Sequence, residues 1–251
     1  MNKWMLFALP AIFLSPVQAA DVPATLHWVQ RVALSTPVSG VVKTVHVEPG
    51  QRVKQGQELL ALDGELYLAK GAESEAAVTR LKEEAAEARR NLERVQELYN
   101  RTVISTSELD QAKLRDVRTH ALLAEGEARR ALDRKNLADT ILRAPFDATV
   151  LSRQAEPGQA VAAGLQPQPL VILAKAGEML ARAMLDANQI SRIKPGASVS
   201  VGVSGKHYTG RVKNLGMEPV AGKDGASYAL DVVFAVQEQL RSGMAAVVTL
   251  P

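Results

Sequence analysis

The chain has 251 residues, of which 47% are hydrophobic and 23% charged, a balance typical of a folded protein rather than a disordered one. Aromatic residues make up only 4%, which disfavours an aromatic-lined catalytic pocket or a base-stacking surface. The net charge is +3 and the basic residues are scattered, so no nucleic-acid partner is indicated. The absence of cysteine excludes disulfides, thiolate metal sites and cysteine nucleophiles.

The N-terminus has the pattern of a secretory signal peptide. Lys3 is followed by an apolar run over 4–14 and then by small residues at the −3 and −1 positions of a cleavage site after Ala19. Eleven apolar residues interrupted by Pro10 fall short of the roughly 20 that span a bilayer. We therefore predict a signal peptide over 1–19, cleaved near Ala19, and export to a bacterial periplasm.

Two segments of the chain repeat at a constant offset of 108 residues. The positions that recur are Pro37, Val42, Glu48, Pro49, Gly50, Gln51, Val53 and Gly56, which return as Pro145, Val150, Glu156, Pro157, Gly158, Gln159, Val161 and Gly164. Each copy predicts short strands around a Glu-Pro-Gly-Gln turn, in which Pro presets φ and Gly supplies the positive φ of a type II turn. Two such halves resemble the small β-sandwich of biotin- and lipoate-carrying domains.

The segment between the two copies predicts a pair of long helices. From Leu66 to Asp139 it contains no proline and only two glycines. An apolar heptad seam is predicted in the first helix at Val78, Leu81, Ala85, Ala88, Leu92, Val95 and Tyr99. A second seam is predicted in the next helix at Leu114, Val117, Ala121, Ala124, Ala128 and Ala131.

The break between the helices lies at 102–105, where Ser105 and Glu108 have the spacing of a capping box that starts the second helix. The two seams of matching length predict an antiparallel coiled-coil hairpin. Each arm of about 34 residues would extend about 50 Å.

The C-terminal part predicts a small antiparallel β-barrel. Its strands are expected at Leu180–Leu185, Val199–Val203, Thr209–Val212, Tyr228–Phe234 and Ala245–Leu250, with a short helix at Asp186–Ile193. A further barrel strand is expected over Thr25–Ser35, because this stretch alternates apolar and polar residues.

These elements divide the chain into six predicted segments. They are a signal peptide over 1–19, an N-terminal segment with the first barrel strand over 20–35, a lipoyl-like half over 36–63, the α-helical hairpin over 64–140, the second lipoyl-like half over 141–174 and the β-barrel over 175–251.

This order of modules in an exported protein resembles the periplasmic adaptor subunits, or membrane fusion proteins, of tripartite efflux pumps. The most specific part of the resemblance is the hairpin tip over 94–112, and the segments 142–147 and 240–244 also match. The resemblance implies an elongated, modular α+β fold. It combines a split lipoyl-like β-sandwich, an inserted antiparallel α-helical coiled-coil hairpin and a small antiparallel β-barrel.

In that family the tip carries an Arg, a Leu four residues later and a Ser seven residues beyond, which dock into a TolC-type outer-membrane channel. The matching positions here are Arg94, Leu98 and Ser105. The resemblance therefore implies that these three residues bind the channel. A cation and an apolar side chain one turn apart suit a groove between helices.

The resemblance further implies a non-catalytic periplasmic adaptor that uses no cofactor and no metal. It would join an inner-membrane efflux transporter, most simply a proton-driven resistance-nodulation-division transporter, to the outer-membrane channel for export of drugs or other small molecules. It would assemble as a trimeric or hexameric ring. Because the chain stops at the barrel, we expect no membrane-proximal domain, and an adaptor of an ABC exporter or a type I secretion system stays open.

Two hypotheses from other classes also stay open. A biotin or lipoate carrier would need a modified lysine on a tight turn between the halves, whereas Lys70 lies at the start of the predicted helix without the usual flanking residues. A purely structural coiled-coil spacer would tolerate scrambling of 94–105 if the heptads were kept. The sequence contains no phosphate-binding loop or serine-hydrolase elbow, and its four histidines are isolated, which favours a protein that is not an enzyme.

Overall fold

A computed structural model describes residues 20–164, 168–222 and 225–250 of the chain. The predicted signal peptide over 1–19 lies outside the described residues. The described residues divide into two compact units, one made of the N-terminal residues up to Gln30 together with Gly177 onward, and the other of Arg31–Ala176.

The first unit holds the strands of the predicted barrel. They are β1 (Ala20–Trp28) and, beyond the second unit, β10 (Glu178–Leu185), β11 (Ser198–Val203), β12 (Lys206–Leu215), β13 (Val220–Gly222), β14 (Gly225–Ala235) and β15 (Ala245–Leu250), with the short helix α3 (Ala187–Ser191).

The second unit contains the sandwich and the helices. Its elements are β2 (Arg31–Leu34), β3 (Gly40–Val45), β4 (Arg52–Val53), β5 (Glu58–Leu62), α1 (Glu65–Asn100), α2 (Thr106–Ala138), β6 (Ile141–Arg143), β7 (Ala148–Arg153), β8 (Ala160–Val161) and β9 (Val171–Lys175).

The barrel closes through six antiparallel strands in the order β10, β1, β15, β11, β12 and β14, and β14 pairs back with β10. Strand β13 extends this sheet as a hairpin with β14. Every second residue points inward, as Val199, Val201 and Val203 do in β11. Phe234 and Leu26 are among the largest fully buried side chains of this core.

The sandwich consists of two four-stranded sheets, ordered β2-β9-β7-β4 and β6-β5-β3-β8. Each sheet contains strands from both copies of the sequence repeat, because β3 pairs with β8 and the equivalent β7 pairs with β4. The exchange is reciprocal in its hydrogen bonds: the Gly50 amide donates to the Val150 carbonyl and the Gly158 amide to the Val42 carbonyl, both at 2.8 Å. The predicted repeat therefore folds as two halves that complete each other.

The two predicted turns have matching geometry. Gly50 and Gly158 both have φ of 88°, which is the positive value that a type II turn needs at its third residue. The Gln51 and Gln159 amides close the turns on the Glu48 and Glu156 carbonyls at 3.1 and 3.0 Å.

Helices α1 and α2 pack against each other as an antiparallel hairpin. Along the chain, this hairpin lies between the two halves of the sandwich. The predicted seam of α1 is confirmed over 78–95, where Val78, Ala85 and Ala88 are buried and the other three members are half-buried. Its last predicted member, Tyr99, is exposed. At 1.5 Å per residue the 36 residues of α1 and the 33 of α2 extend roughly 54 and 50 Å.

The predicted seam of α2 is wrong. Leu114 and Val117 are 69% and 65% exposed, and the four alanines of the predicted set are exposed as well. The residues that are buried or half-buried in α2 follow a different heptad, displaced by two positions: Leu109, Ala112, Asp116, Thr119, Leu123, Gly126, Arg130, Asp133 and Leu137.

Side-chain size explains this orientation of α2. Leu109, Leu123 and Leu137 bury more apolar area against α1 than alanines would. Gly126 gives room for the larger side chains of α1, because a Cβ there would lie 2.7 Å from Leu81 Cδ1. Arg130, a polar member of this heptad, has a partner on α1, since its Nη1 lies 3.1 Å from a carboxylate oxygen of Glu75.

The predicted barrel strand over Thr25–Ser35 is also corrected. The barrel strand runs over Ala20–Trp28, where it pairs with β15 and β10. Arg31–Leu34 leaves the barrel and pairs with β9 of the sandwich instead. The alternation of apolar residues continues across the boundary without a Gly or Pro, so the sequence carries no signal for the change of sheet.

Candidate functional site at the hairpin tip

The turn at the end of the hairpin begins with a Schellman motif that closes α1. The Thr102 amide donates to the Tyr99 carbonyl at 2.8 Å, and the Val103 amide donates to the Leu98 carbonyl at 3.0 Å. Thr102 has a φ of 61°, a left-handed conformation that is unusual for a β-branched residue. The chain therefore leaves α1 in a defined and locally strained direction.

Ser105 begins α2 through the predicted capping box, which is confirmed. Its Oγ accepts the Glu108 amide at 3.3 Å, while the Glu108 carboxylate accepts the Ser105 amide and hydroxyl, both at 2.9 Å. These hydrogen bonds favour the ionised carboxylate and hold the pKa of Glu108 below its usual value. The Ser105 hydroxyl is thus fixed at the first residue after the turn.

A contact between the two helices closes the tip. The Tyr99 hydroxyl lies 3.5 Å from Thr106 Oγ1, at the limit of a hydrogen bond. Tyr99 itself is 36% exposed. The tip is therefore closed by an aromatic side chain that remains accessible on its outer side.

Arg94 and Leu98 lie one helical turn apart near the end of α1, with Arg94 exposed and Leu98 half-buried. Several other cations of the hairpin are paired. Arg89, Arg90, Arg101 and Lys113 each contact a carboxylate. Within the described part of the chain Arg94 makes no ion pair, so its guanidinium faces solvent without an acidic partner.

All three residues predicted as the site thus lie within the last two turns of α1 and the turn that follows. Sequence reasoning missed Thr102 and Val103, which set the course of the turn. The usual signal for a left-handed residue after a helix is glycine, and none occurs here. Val103 is 65% exposed, which adds a second apolar side chain to the tip.

The remaining side chains of residues 20–164, 168–222 and 225–250 bear on other kinds of site. In these residues no group of three or more His, Asp or Glu side chains is arranged to hold a metal ion. None of the helices described there is both long enough and apolar enough to cross a membrane. Lys70, the residue that a carrier would need to modify, lies within α1.

A sandwich made of two repeated halves, a helical hairpin in the connection between them and an antiparallel barrel form the modular architecture that the resemblance to membrane fusion proteins predicted. The chain belongs to the CzcB-like, barrel-sandwich hybrid domain family, which matches residues 30–166, more than half of the chain.

The chain is also similar in sequence to individual curated proteins. The chain is 28% identical over 221 residues to the macrolide export protein MacA of Yersinia pestis, a match that covers 81% of this chain and 60% of that protein. It is 28% identical over 162 residues to the multidrug resistance protein MdtA of Escherichia coli, covering 60% of this chain and 39% of that protein. The chain therefore spans no more than about 60% of the length of these curated relatives.

Among solved structures, the membrane fusion protein Spr0693 of Streptococcus pneumoniae aligns with a TM-score of 0.71. The alignment covers 92% of this chain and 98% of Spr0693 at 14% sequence identity. At that identity the likeness concerns the fold.

Proposed function

We propose that the protein is a periplasmic adaptor that links an inner-membrane transporter to a TolC-type outer-membrane channel for export of drugs or other small molecules. In this role it is exported through a cleaved signal peptide, assembles as a ring and performs no catalysis. The family assignment supports an adaptor, and the names of MacA and MdtA, macrolide export and multidrug resistance, support small-molecule export.

The hairpin tip is the observation that carries the proposal. Arg94 offers an unpaired cation, Leu98 and Val103 offer apolar surface, and the Ser105 hydroxyl is held at the start of α2. Backbone hydrogen bonds fix the α1 end of the turn and the capping box fixes the α2 end, so docking loses little conformational entropy. A groove between two channel helices would accept this set, with backbone carbonyls or carboxylates binding Arg94.

Docking of this kind would couple the adaptor to the state of the channel and would involve no chemical reaction. Contacts at the tip shift the channel towards its open state only if they are stronger in that state than in the closed one. The guanidinium of Arg94 suits such discrimination, because its hydrogen bonds depend strongly on the position of the acceptors.

Substitutions at the tip test the proposal in cells that lack the native gene and express the full chain. Arg94→Glu places a negative charge where a cation is proposed to dock. We expect about a tenfold loss of export, which corresponds to about 1.4 kcal/mol of lost contact. Lys213→Glu is the matched control, because Lys213 is an exposed cation of barrel strand β12. The measurement is accumulation of a fluorescent substrate, at protein levels verified by blotting.

Full export by Arg94→Glu, together with full export when Leu98 is also changed to Ala, would contradict docking at this tip and favour the spacer hypothesis. A lysine adduct in the mass of the mature protein would favour the carrier hypothesis instead.

For the transporter we propose the resistance-nodulation-division class, which is driven by protons. Export should then collapse when a proton ionophore is added while cellular ATP is held constant. Export that continues under those conditions would favour an ABC exporter or type I secretion partner.

A further inference from the structure

The outer wall of the barrel carries an open cavity of about 340 Å³ beside the turn between β11 and β12. This volume is at the lower end of the range found for small-molecule sites. The floor is Gly202, which pairs with Val247 of β15 on one side and with His207 of β12 on the other. Because its neighbours Val201 and Val203 are buried in the core, position 202 faces outward. The missing side chain therefore leaves a depression in the outer surface of the sheet.

The course of the strands keeps the cavity open. The pairing of β11 with β15 ends at Gly202 and Val247, although β15 begins at Ala245. Ser204 and Ala245, which lie past the end of this pairing, both line the cavity. Ser204 and Gly205 have φ of 49° and 80°, the positive values of a type I′ turn, so the course of the chain into β12 is fixed. Paired strands and a tight turn, rather than a long loop, thus form the cavity.

The imidazole of His207 stands directly beside the floor. A Cβ placed on Gly202 would lie 3.6 Å from both Cε1 and Nδ1 of His207, and 3.8 Å from the Val247 carbonyl oxygen. These are van der Waals distances. The side chain of Val247, which is 41% exposed, adds apolar surface next to the floor. The three residues together offer a slot for a flat, apolar group.

Asp21 gives the cavity a charge that has no ionic partner. Its carboxylate accepts a hydrogen bond from the Thr249 hydroxyl at 2.6 Å, and it makes no ion pair with any described residue. The ammonium of Lys206 also lines the cavity, but it lies 2.7 Å from the carboxylate of Glu238. The Tyr208 hydroxyl donates a further hydrogen bond to Glu238. The hydrogen bond to Glu238 raises the pKa of Lys206, so this ammonium stays charged and paired. Asp21 therefore favours a cation in the cavity.

We propose that this cavity binds a small organic cation with a flat, apolar body. Asp21 holds the cation, and the body lies on Gly202 and Val247 against the imidazole of His207. Strands β1 and β11, which carry Asp21 and Gly202, are two strand spacings apart, about 10 Å. The ligand thus carries its charge at one end and its apolar body at the other. The site goes beyond the proposed adaptor function, because the chain itself would bind a small molecule.

Binding of two flat probes of opposite charge to the purified full chain tests the site. Proflavine is an aromatic cation at neutral pH, and anilinonaphthalene sulfonate is an aromatic anion. We expect saturable binding of proflavine, measured by fluorescence anisotropy, that weakens as salt is added because salt screens the charge of Asp21. The anion should bind about tenfold more weakly. Absence of saturable proflavine binding, or equal affinity for the two probes, would overturn the proposal.

Gly202→Val fills the floor of the cavity. The new Cβ would make ordinary contacts and valine suits a strand, so we expect the barrel to fold, as circular dichroism can verify. The affinity for proflavine should fall about tenfold. Ser198→Val is the matched control, because Ser198 is exposed on the same outward face of β11 but lies outside the cavity. Equal affinities of the two variants would contradict the site.

Asp21→Asn tests the charge without filling the cavity. Asparagine keeps an acceptor for the Thr249 hydroxyl, whereas the negative charge is lost. We expect about fivefold weaker proflavine binding and a loss of its salt dependence. Glu218→Gln, which removes an exposed carboxylate between β12 and β13, is the control and should bind as wild type does. An equal loss in both variants, or a salt dependence that survives in Asp21→Asn, would show that the cation binds elsewhere.

This site and the proposed adaptor function fail separately. Proflavine binding by a chain that neither supports export nor contacts a channel refutes only the adaptor function. Export and channel contact by a chain that shows no saturable binding refute only this site.

Discussion

Ser105 combines an observed capping role with a proposed contact to the channel. Its Oγ caps α2 by accepting the Glu108 amide, and its exposed position also makes it a proposed contact for the channel. The hydroxyl also donates to the Glu108 carboxylate at 2.9 Å, so its direction is fixed before any partner binds.

We predict that Ser105→Ala lowers the free energy of unfolding of the hairpin by about 1 kcal/mol, since it removes the cap. Ser107→Ala is the control, because Ser107 is exposed in the first turn of the same helix and makes no side-chain hydrogen bond there. Urea unfolding followed by circular dichroism measures the difference. Equal stability of the two variants would contradict the structural role of the cap.

The cap also predicts a pH dependence. Hydrogen bonds from Ser105 lower the pKa of Glu108 in the folded state, so its contribution is fully present above the unfolded pKa of about 4.3. It is lost as the pH falls through the lower, folded value. The stability difference between wild type and Glu108→Gln should therefore be constant from about pH 8 to pH 5 and shrink below about pH 4.

At this scale the sequence was informative where a residue type has one dominant use. The Ser105 and Glu108 capping box and the glycines of the two repeated turns were predicted and are confirmed. Thr102 was not predicted to take a positive φ, because nothing in a threonine marks a left-handed position.

At the scale of elements, α2 shows why periodicity alone does not give orientation. The helix carries two heptads displaced by two residues, and the more uniformly apolar one lies outside. Propensity and spacing favour both equally. Packing against α1 determines which face of α2 points inward, because Leu81 of α1 needs the space that Gly126 of α2 leaves.

Two leucines of α2 distinguish the observed orientation from the one predicted by the sequence. Leu109 is 4% exposed and Leu114 is 69% exposed. Leu109→Ala should lower the free energy of unfolding by roughly 2–4 kcal/mol, because it leaves a cavity between the helices. Leu114→Ala should change it by less than about 0.5 kcal/mol in dilute, monomeric protein.

Thermal and urea unfolding of both variants, at concentrations where sedimentation shows a monomer, provide the measurement. The reverse order of destabilisation would show that Leu114 is the inward residue and would restore the seam expected from the sequence.

For the strands, too, the local sequence pattern predicts where an element lies but not which partner it packs on or pairs with. Strands within each repeat were predictable because turns with Pro and Gly mark their ends. The passage from β1 to β2 was not, because the apolar alternation runs through it while the pairing partner changes from barrel to sandwich. Which sheet a strand joins depends on distant segments, which a local pattern does not contain.

At the scale of the whole molecule, the repeat explains how the hairpin is inserted. Each sheet of the sandwich contains strands from both halves, so the sandwich forms only when 37–62 and 145–174 come together. The helices occupy the connection between these halves. The hairpin therefore starts and ends at the sandwich, where β5 and β6 pair beside each other.

Contact between the hairpin tip and an outer-membrane channel can be detected by crosslinking in intact cells. Val103→Cys is the variant of choice, because Val103 is 65% exposed and a thiol there leaves the Ser105 cap in place. Lys213→Cys, on barrel strand β12, is the control. A short thiol-to-amine crosslinker is added and the adducts are identified by mass spectrometry.

We expect an adduct between Val103→Cys and a TolC-type channel, and none with the channel for Lys213→Cys. A tip thiol that reacts with a small maleimide in the same cells but gives no channel adduct, at normal expression and export, would contradict the claim.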